Sequence, residues 1–116
     1  MVMLHLPQSE VDAIHAWYGH QECKAGGVRG IRDYSREKIF TQHDEATLAI
    51  AWSVFVRGAQ RKHLSTRKIA KEYGLSQSTV MRDVKVIAHN GRALEGEAIE
   101  RLTPIFERSG LIEIVE

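Results

Sequence analysis

From Ser65 to Ile87 the chain sets Ile69, Ala70, Tyr73, Leu75, Val80, Val84 and Ile87 at helical spacings around one glycine, Gly74. Few folds accept that arrangement. Two helices crossing at a fixed angle need a small residue where their backbones meet and a chain reversal of three or four residues. Ala70 supplies the first and Gly74 the second. Ser65 and Ser76 each precede a helical segment as hydroxyls placed to accept an N–H of the first turn. The first segment is TRKIAKEY and the second QSTVMRDVKVIAHN, which Asn90 and Gly91 are expected to close as a left-handed C-cap. If Val80, Val84 and Ile87 point inward, Gln77, Ser78, Met81, Arg82, Lys85 and His89 point away or lie on the flanks.

The segment ahead of this pair, EATLAIAWSVFVRGA, reads as a helix capped by Asp44, with Glu45 complementing its positive end and Gly58 closing it. Leu48, Trp52 and Phe55 form one face and Ala46, Ile50 and Val54 another, so the helix is apolar around most of its circumference and belongs in the middle of a fold or in a dimer interface. Further upstream, Ser9 and Asp12 have the spacing of a capping box for a helix running to about Glu22, with Val11, Ile14 and Tyr18 on one face. Three glycines within KAGGVRGIRDY point to a loop or arm from Lys24 to about Asp33. Leu94, Ala98, Ile99 and Leu102 suggest a further helix, and Thr103 and Pro104 a last short one closed by Gly110. MVMLHL and LIEIV, at the two ends, could pair as a small two-stranded sheet.

At 116 residues the chain makes one domain. No apolar run approaches the roughly 18 to 20 residues of a membrane helix, and MVMLHLPQSE lacks the basic leader and long apolar centre of a secretory signal. A single cysteine, Cys23, fits a reducing compartment, so the expected location is the cytoplasm, with no membrane partner. The net charge of +1 hides an uneven distribution. Residues 61–92 carry eight basic and two acidic side chains, a local +6, while residues 1–60 sum to −1 and residues 93–116 to −4. Positive charge concentrated on one segment is the footprint of a polyanion partner.

STRKIAKEYGLSQSTVMRDV, residues 65–84, resembles the helix-turn-helix of bacterial and phage transcription regulators. GLSQSTVMR within it is similar to the G-[VL]-S-x-x-T-V-x-R form of the lactose-repressor-like family. In that family the motif opens the protein, whereas here it sits late, so what carries over is the two-helix unit. Its size and the apolar helix before the motif also resemble small phage regulators, including late-gene antiterminators of the Q type. The resemblance implies that Gln77, Ser78 and Arg82 occupy base-reading positions.

Geometry and side-chain chemistry point the same way. The second helix of such a unit enters the major groove with its N-terminal residues nearest the base edges. Gln77 can pair with adenine, Arg82 with guanine and Ser78 with either. Arg61, Lys62, Thr66, Arg67, Ser76, Thr79, Lys85 and His89 are the candidates for phosphate contact.

The expected architecture is mainly α, a three-helix helix-turn-helix unit with flanking helices and the terminal sheet. Within the single domain, residues 1–43 hold the N-terminal helix and glycine-rich arm, 44–91 the helix-turn-helix core, and 92–116 the acidic C-terminal segment and terminal strand. Its core is Leu48, Trp52, Phe55, Ile69, Ala70, Tyr73, Leu75, Val80, Val84 and Ile87. The expected function is sequence-specific binding of double-stranded DNA as a transcription regulator, in a homodimer because one helix reads few base pairs. An antiterminator acting on DNA and RNA polymerase is the alternative within that class, and a protein-interaction module the alternative outside it.

Other constellations point to less. His15, His20 and Cys23 stand as H-x4-H-x2-C and could hold a metal with a fourth ligand such as His43, but only His20 and Cys23 form the tight pair a zinc site uses, so solvated or helix-capping histidines are expected. No nucleophile elbow, HExxH or phosphate loop is present, so neither cofactor nor catalysis is expected. Arg29, Arg32 and Arg36 are interleaved with acidic residues and read as solvated. Trp17 reads as core.

Overall fold

The computed structural model describes residues 6–56 and 64–109. Among these the protein is mainly α-helical and has no strand. It comprises α1 (Gln8–Tyr18), α2 (Gln21–Ser35), α3 (Asp44–Phe55), α4 (Thr66–Tyr73) and α5 (Gln77–Ser109). Residues 1–5 and 110–116 lie outside the described residues, and with them the expected terminal pairing and the Gly110 stop; Gly58 lies outside as well, and α3 ends before it, at Phe55, with Val56 already extended.

α5 is the spine, and each of the other four helices packs against it. Its 33 residues span about 50 Å at 1.5 Å per residue. That matches the longest extent of the molecule, 51 Å. Ile31 from α2, Ile50 and Phe55 from α3, Ile69 from α4 and Val80 and Ile87 from α5 are fully buried together. Burying each such side chain contributes about 1.5 to 3 kcal/mol. Of the expected core, Leu48, Trp52, Tyr73, Leu75 and Val84 are only partly buried and pack around this centre.

Two expectations about glycine are corrected. The Lys24–Asp33 segment is not a loop: it forms most of α2. A Cβ on Gly27 would lie 2.5 Å from the backbone of Ala16 and Asp12, and one on Gly30 would run into the Asp12 side chain. These glycines let α2 lie close against α1. The second correction concerns Asn90 and Gly91, which do not end a helix but sit inside α5. Buried Asn90 donates from Nδ2 to Ser35 Oγ at 2.9 Å. Gly91 faces the Phe55 ring, and its carbonyl accepts the Trp17 indole N–H at 3.1 Å. Trp17 in turn meets Phe55 edge-on, with centroids 4.6 Å apart. α5 therefore runs on without a break, absorbing the separate helices expected around residues 94–102 and after Thr103.

Several helix ends also differ from expectation. α1 starts after Pro7 without a side-chain cap, and Asp12 accepts from Gln8 Nε2 at 2.9 Å instead of forming a box with Ser9. It stops at Tyr18 rather than near Glu22, because Gly19 is extended and a Cβ there would lie 2.5 Å from the His15 carbonyl. The cap of α3 is His43, whose Nδ1 accepts the Ala46 N–H at 3.2 Å. Asp44 is the first helical residue and pairs with Arg36 at 3.0 Å, raising the affinity of that guanidinium for its proton.

On the far side, buried Glu10 of α1 meets Arg101 Nε of α5 at 3.0 Å. This pair ties α1 to the C-terminal half of α5.

Candidate nucleic-acid interface

α4 and α5 are joined by Gly74, Leu75 and Ser76. Gly74 takes the left-handed conformation, φ 68° and ψ 33°, which a glycine adopts without the steric penalty of a Cβ. The Leu75 N–H then reaches the Ala70 carbonyl at 2.8 Å. Ser65 Oγ accepts the Lys68 N–H at the start of α4, and Ser76 Oγ the Thr79 N–H at the start of α5, both at 3.2 Å. Both serine caps match the sequence reading. Gln77 Nε2 lies 3.4 Å from Thr66 Oγ1, so the first turns of the two helices sit side by side.

α5 divides sharply into two sides. Val80 and Ile87 are fully buried and Val84 half-buried, whereas Ser78, Met81, Arg82, Lys85 and His89 are exposed or nearly so. With 3.6 residues per turn, these five and Arg92 fall within an arc of roughly 100°. Gln77 is exposed on the flank of that arc. On α4, Arg67 is exposed and Thr66 half-buried. The hydroxyls of Ser76 and Thr79 bond to each other at 2.8 Å, at the end where backbone N–H groups give a helix its positive pole. Arg61 and Lys62 lie outside the described residues.

Neighbouring Arg82 and Asp83 have opposite fates. Asp83 is completely buried, and its carboxylate accepts the backbone N–H groups of Phe40 at 2.9 Å and Thr41 at 3.0 Å. Arg82 points out, and among the described residues no carboxylate pairs with it. Its guanidinium carbon lies 4.9 Å from the centroid of the Phe40 ring, itself 59% exposed. The outward arc is therefore more uniformly basic than a charge count suggests, since one of the two acids in residues 61–92 faces inward.

Three participants escaped the sequence reading. Phe40 and Asp83 meet only through long-range contact. Arg92 continues the outward spacing of Arg82, Lys85 and His89, and the pattern was there to extend; the expected stop at Asn90 and Gly91 concealed it.

At the other end of α4, Tyr73 packs on His43, with ring centroids 5.5 Å apart. Desolvation, followed by the charges of Glu72 and Glu45, raises its hydroxyl above the usual tyrosine value. Elsewhere, Arg32 and Arg36 are engaged with Asp33 and Asp44, and Cys23 is exposed. Among the described residues no three His, Cys, Asp or Glu side chains converge as metal ligands would, and no helix is long and apolar enough to cross a membrane.

Comparison of the chain with protein-family models, with curated proteins and with solved structures finds no match.

Proposed function

We propose that the protein is a sequence-specific double-stranded DNA-binding transcription regulator that reads the major groove with the N-terminal turns of α5. One observation carries the reading. The helix that follows the Gly74 turn buries Val80 and Ile87 and presents Ser78, Arg82, Lys85 and His89 outward with no acid among them. A major groove about 12 Å wide admits such a helix. Arg82 and Gln77 supply the forked donor and the amide that discriminate guanine and adenine, with Ser78 beside them. Ser76, Thr79, Thr66, Arg67, Lys85 and His89 supply phosphate contacts, and Arg92 adds one more.

One such helix reads only a few base pairs, too little to select an operator among many competing sites. The functional unit is therefore a homodimer, with half-sites about 34 Å apart. Selection of bound duplexes from a random pool tests this directly. A symmetric consensus of that spacing is the expected result, and binding with no base preference or no binding at all refutes the reading. Repression and antitermination share the same DNA contact; transcription through a terminator in vitro separates them, since the first lowers initiation and the second raises readthrough by RNA polymerase.

A further inference from the structure

The connection between α2 and α3 reaches the outward arc of α5 at Phe40. Its ring is exposed although an aromatic side chain gains by burial, and it lies against the guanidinium of Arg82. The backbone beneath it is not free to drift, because Asp83 holds the N–H groups of Phe40 and Thr41. Ile39 and Thr41 on either side are buried. One turn of α5 thus supplies both the outward arginine and the inward carboxylate that fixes the ring against it.

An unrestrained arginine on a helix surface loses considerable rotamer freedom when it docks. A ring held by a buried anchor removes part of that freedom beforehand, while leaving the guanidinium without a competing carboxylate. We infer that Phe40 is the positioning residue for Arg82, and that it sharpens the preference for guanine at the one base position Arg82 reads. This rests on the DNA-binding reading above. The chemistry is that of a cation held over an aromatic face, so a tyrosine or tryptophan replaces Phe40 and a leucine of similar bulk does not.

The test begins with the duplex selected by the wild-type protein and the base position whose preference Arg82→Ala abolishes. There the ratio of affinities for guanine and adenine is measured for Phe40→Leu, Phe40→Tyr and Phe40→Trp, with denaturant midpoints recorded for each variant. Phe40→Leu is expected to lower the ratio by roughly two- to fivefold, the strength of an exposed cation–aromatic contact, leaving preferences at other positions unchanged. Tyrosine and tryptophan are expected to keep it, and Phe40→Leu is expected to have no further effect in the Arg82→Ala background.

An unchanged ratio in Phe40→Leu, a uniform loss at every position, or the same loss without Arg82 overturns the inference while the DNA-binding reading stands. So does the finding that no base position depends on Arg82. Failure of the wild-type protein to bind any duplex overturns both.

Discussion

The Asp83 carboxylate accepts the backbone N–H of Thr41 at 3.0 Å across 42 positions of sequence, in a site closed to solvent. Through this contact the turn preceding α3 is fastened to the helix that carries the outward basic arc. A second bond, from the Phe40 N–H, completes the fastening.

Asp83→Ala leaves both N–H groups without their acceptor. The expected cost is about 2 to 4 kcal/mol, combining lost charge-assisted bonds with unsatisfied donors. Asp83→Asn keeps one acceptor oxygen but turns its amide N–H2 toward the other backbone N–H, donor against donor, and is expected to lose at least about half of that. Urea midpoints with an unchanged denaturant slope measure it, and an alanine variant as stable as wild type contradicts the anchoring role.

The glycines of α2 give a prediction with opposite signs. Gly27→Ala forces a methyl onto the α1 backbone and is expected to destabilise by about 1 to 3 kcal/mol. A Cβ on Gly26 meets nothing within 4 Å. Gly26→Ala is expected to stabilise by about 0.5 to 1 kcal/mol through helix propensity. Thermal melts of the two variants decide the matter, and equal effects would show that α1 and α2 do not approach as described.

On the face proposed to bind DNA, Lys85→Ala and Arg92→Ala are expected to weaken binding to all duplexes alike and to reduce the slope of log affinity against log salt by about one each. Arg82→Ala is expected instead to relax choice at one base position, by about 1 to 3 kcal/mol. Titrations over a salt series on consensus and single-mismatch duplexes distinguish the two patterns, and a uniform loss for all three variants removes the division of roles.

Tyr73 gives a pH dependence of definite sign. Its raised value means that the folded chain holds the phenolic proton more tightly than the unfolded chain. The stabilisation is therefore complete below the unfolded value, about 10, and is lost as pH rises through the higher folded one. Urea midpoints for wild type and Tyr73→Phe between about pH 8 and 11 are expected to show a steeper alkaline decline in the wild type. Parallel curves would exclude the effect.

What could be read from sequence followed the range of the interactions involved. Ser65, Gly74 and Ser76 act on backbone groups within four residues of themselves, so their roles were visible locally. Val80, Val84 and Ile87 announced a buried side by spacing alone. The pairs Gly27 with α1 and Gly91 with Phe55 were hidden. A glycine that makes room for a neighbour has the same letter as one that frees the backbone, and only the neighbour tells them apart. The burial of Asp83 is hidden for a similar reason, since its partners Phe40 and Thr41 lie more than forty positions away. His43 displaced Asp44 as a cap because an imidazole nitrogen can accept the same N–H that a carboxylate would.

α5 is a single rod from Gln77 to Ser109, with Asn90 gripped near its middle by Ser35 and its far half tied to α1 through Arg101 and Glu10. A rod of one piece carries any tilt along its whole length, which is what the Asp83 anchor between Asn90 and Gln77 holds in check. Over the roughly 20 Å from Asn90 to Gln77, a tilt of about 5° swings the tip by nearly 2 Å, at 1.5 Å of rise per residue. A swing that large decides whether a hydrogen bond at the tip is made or missed.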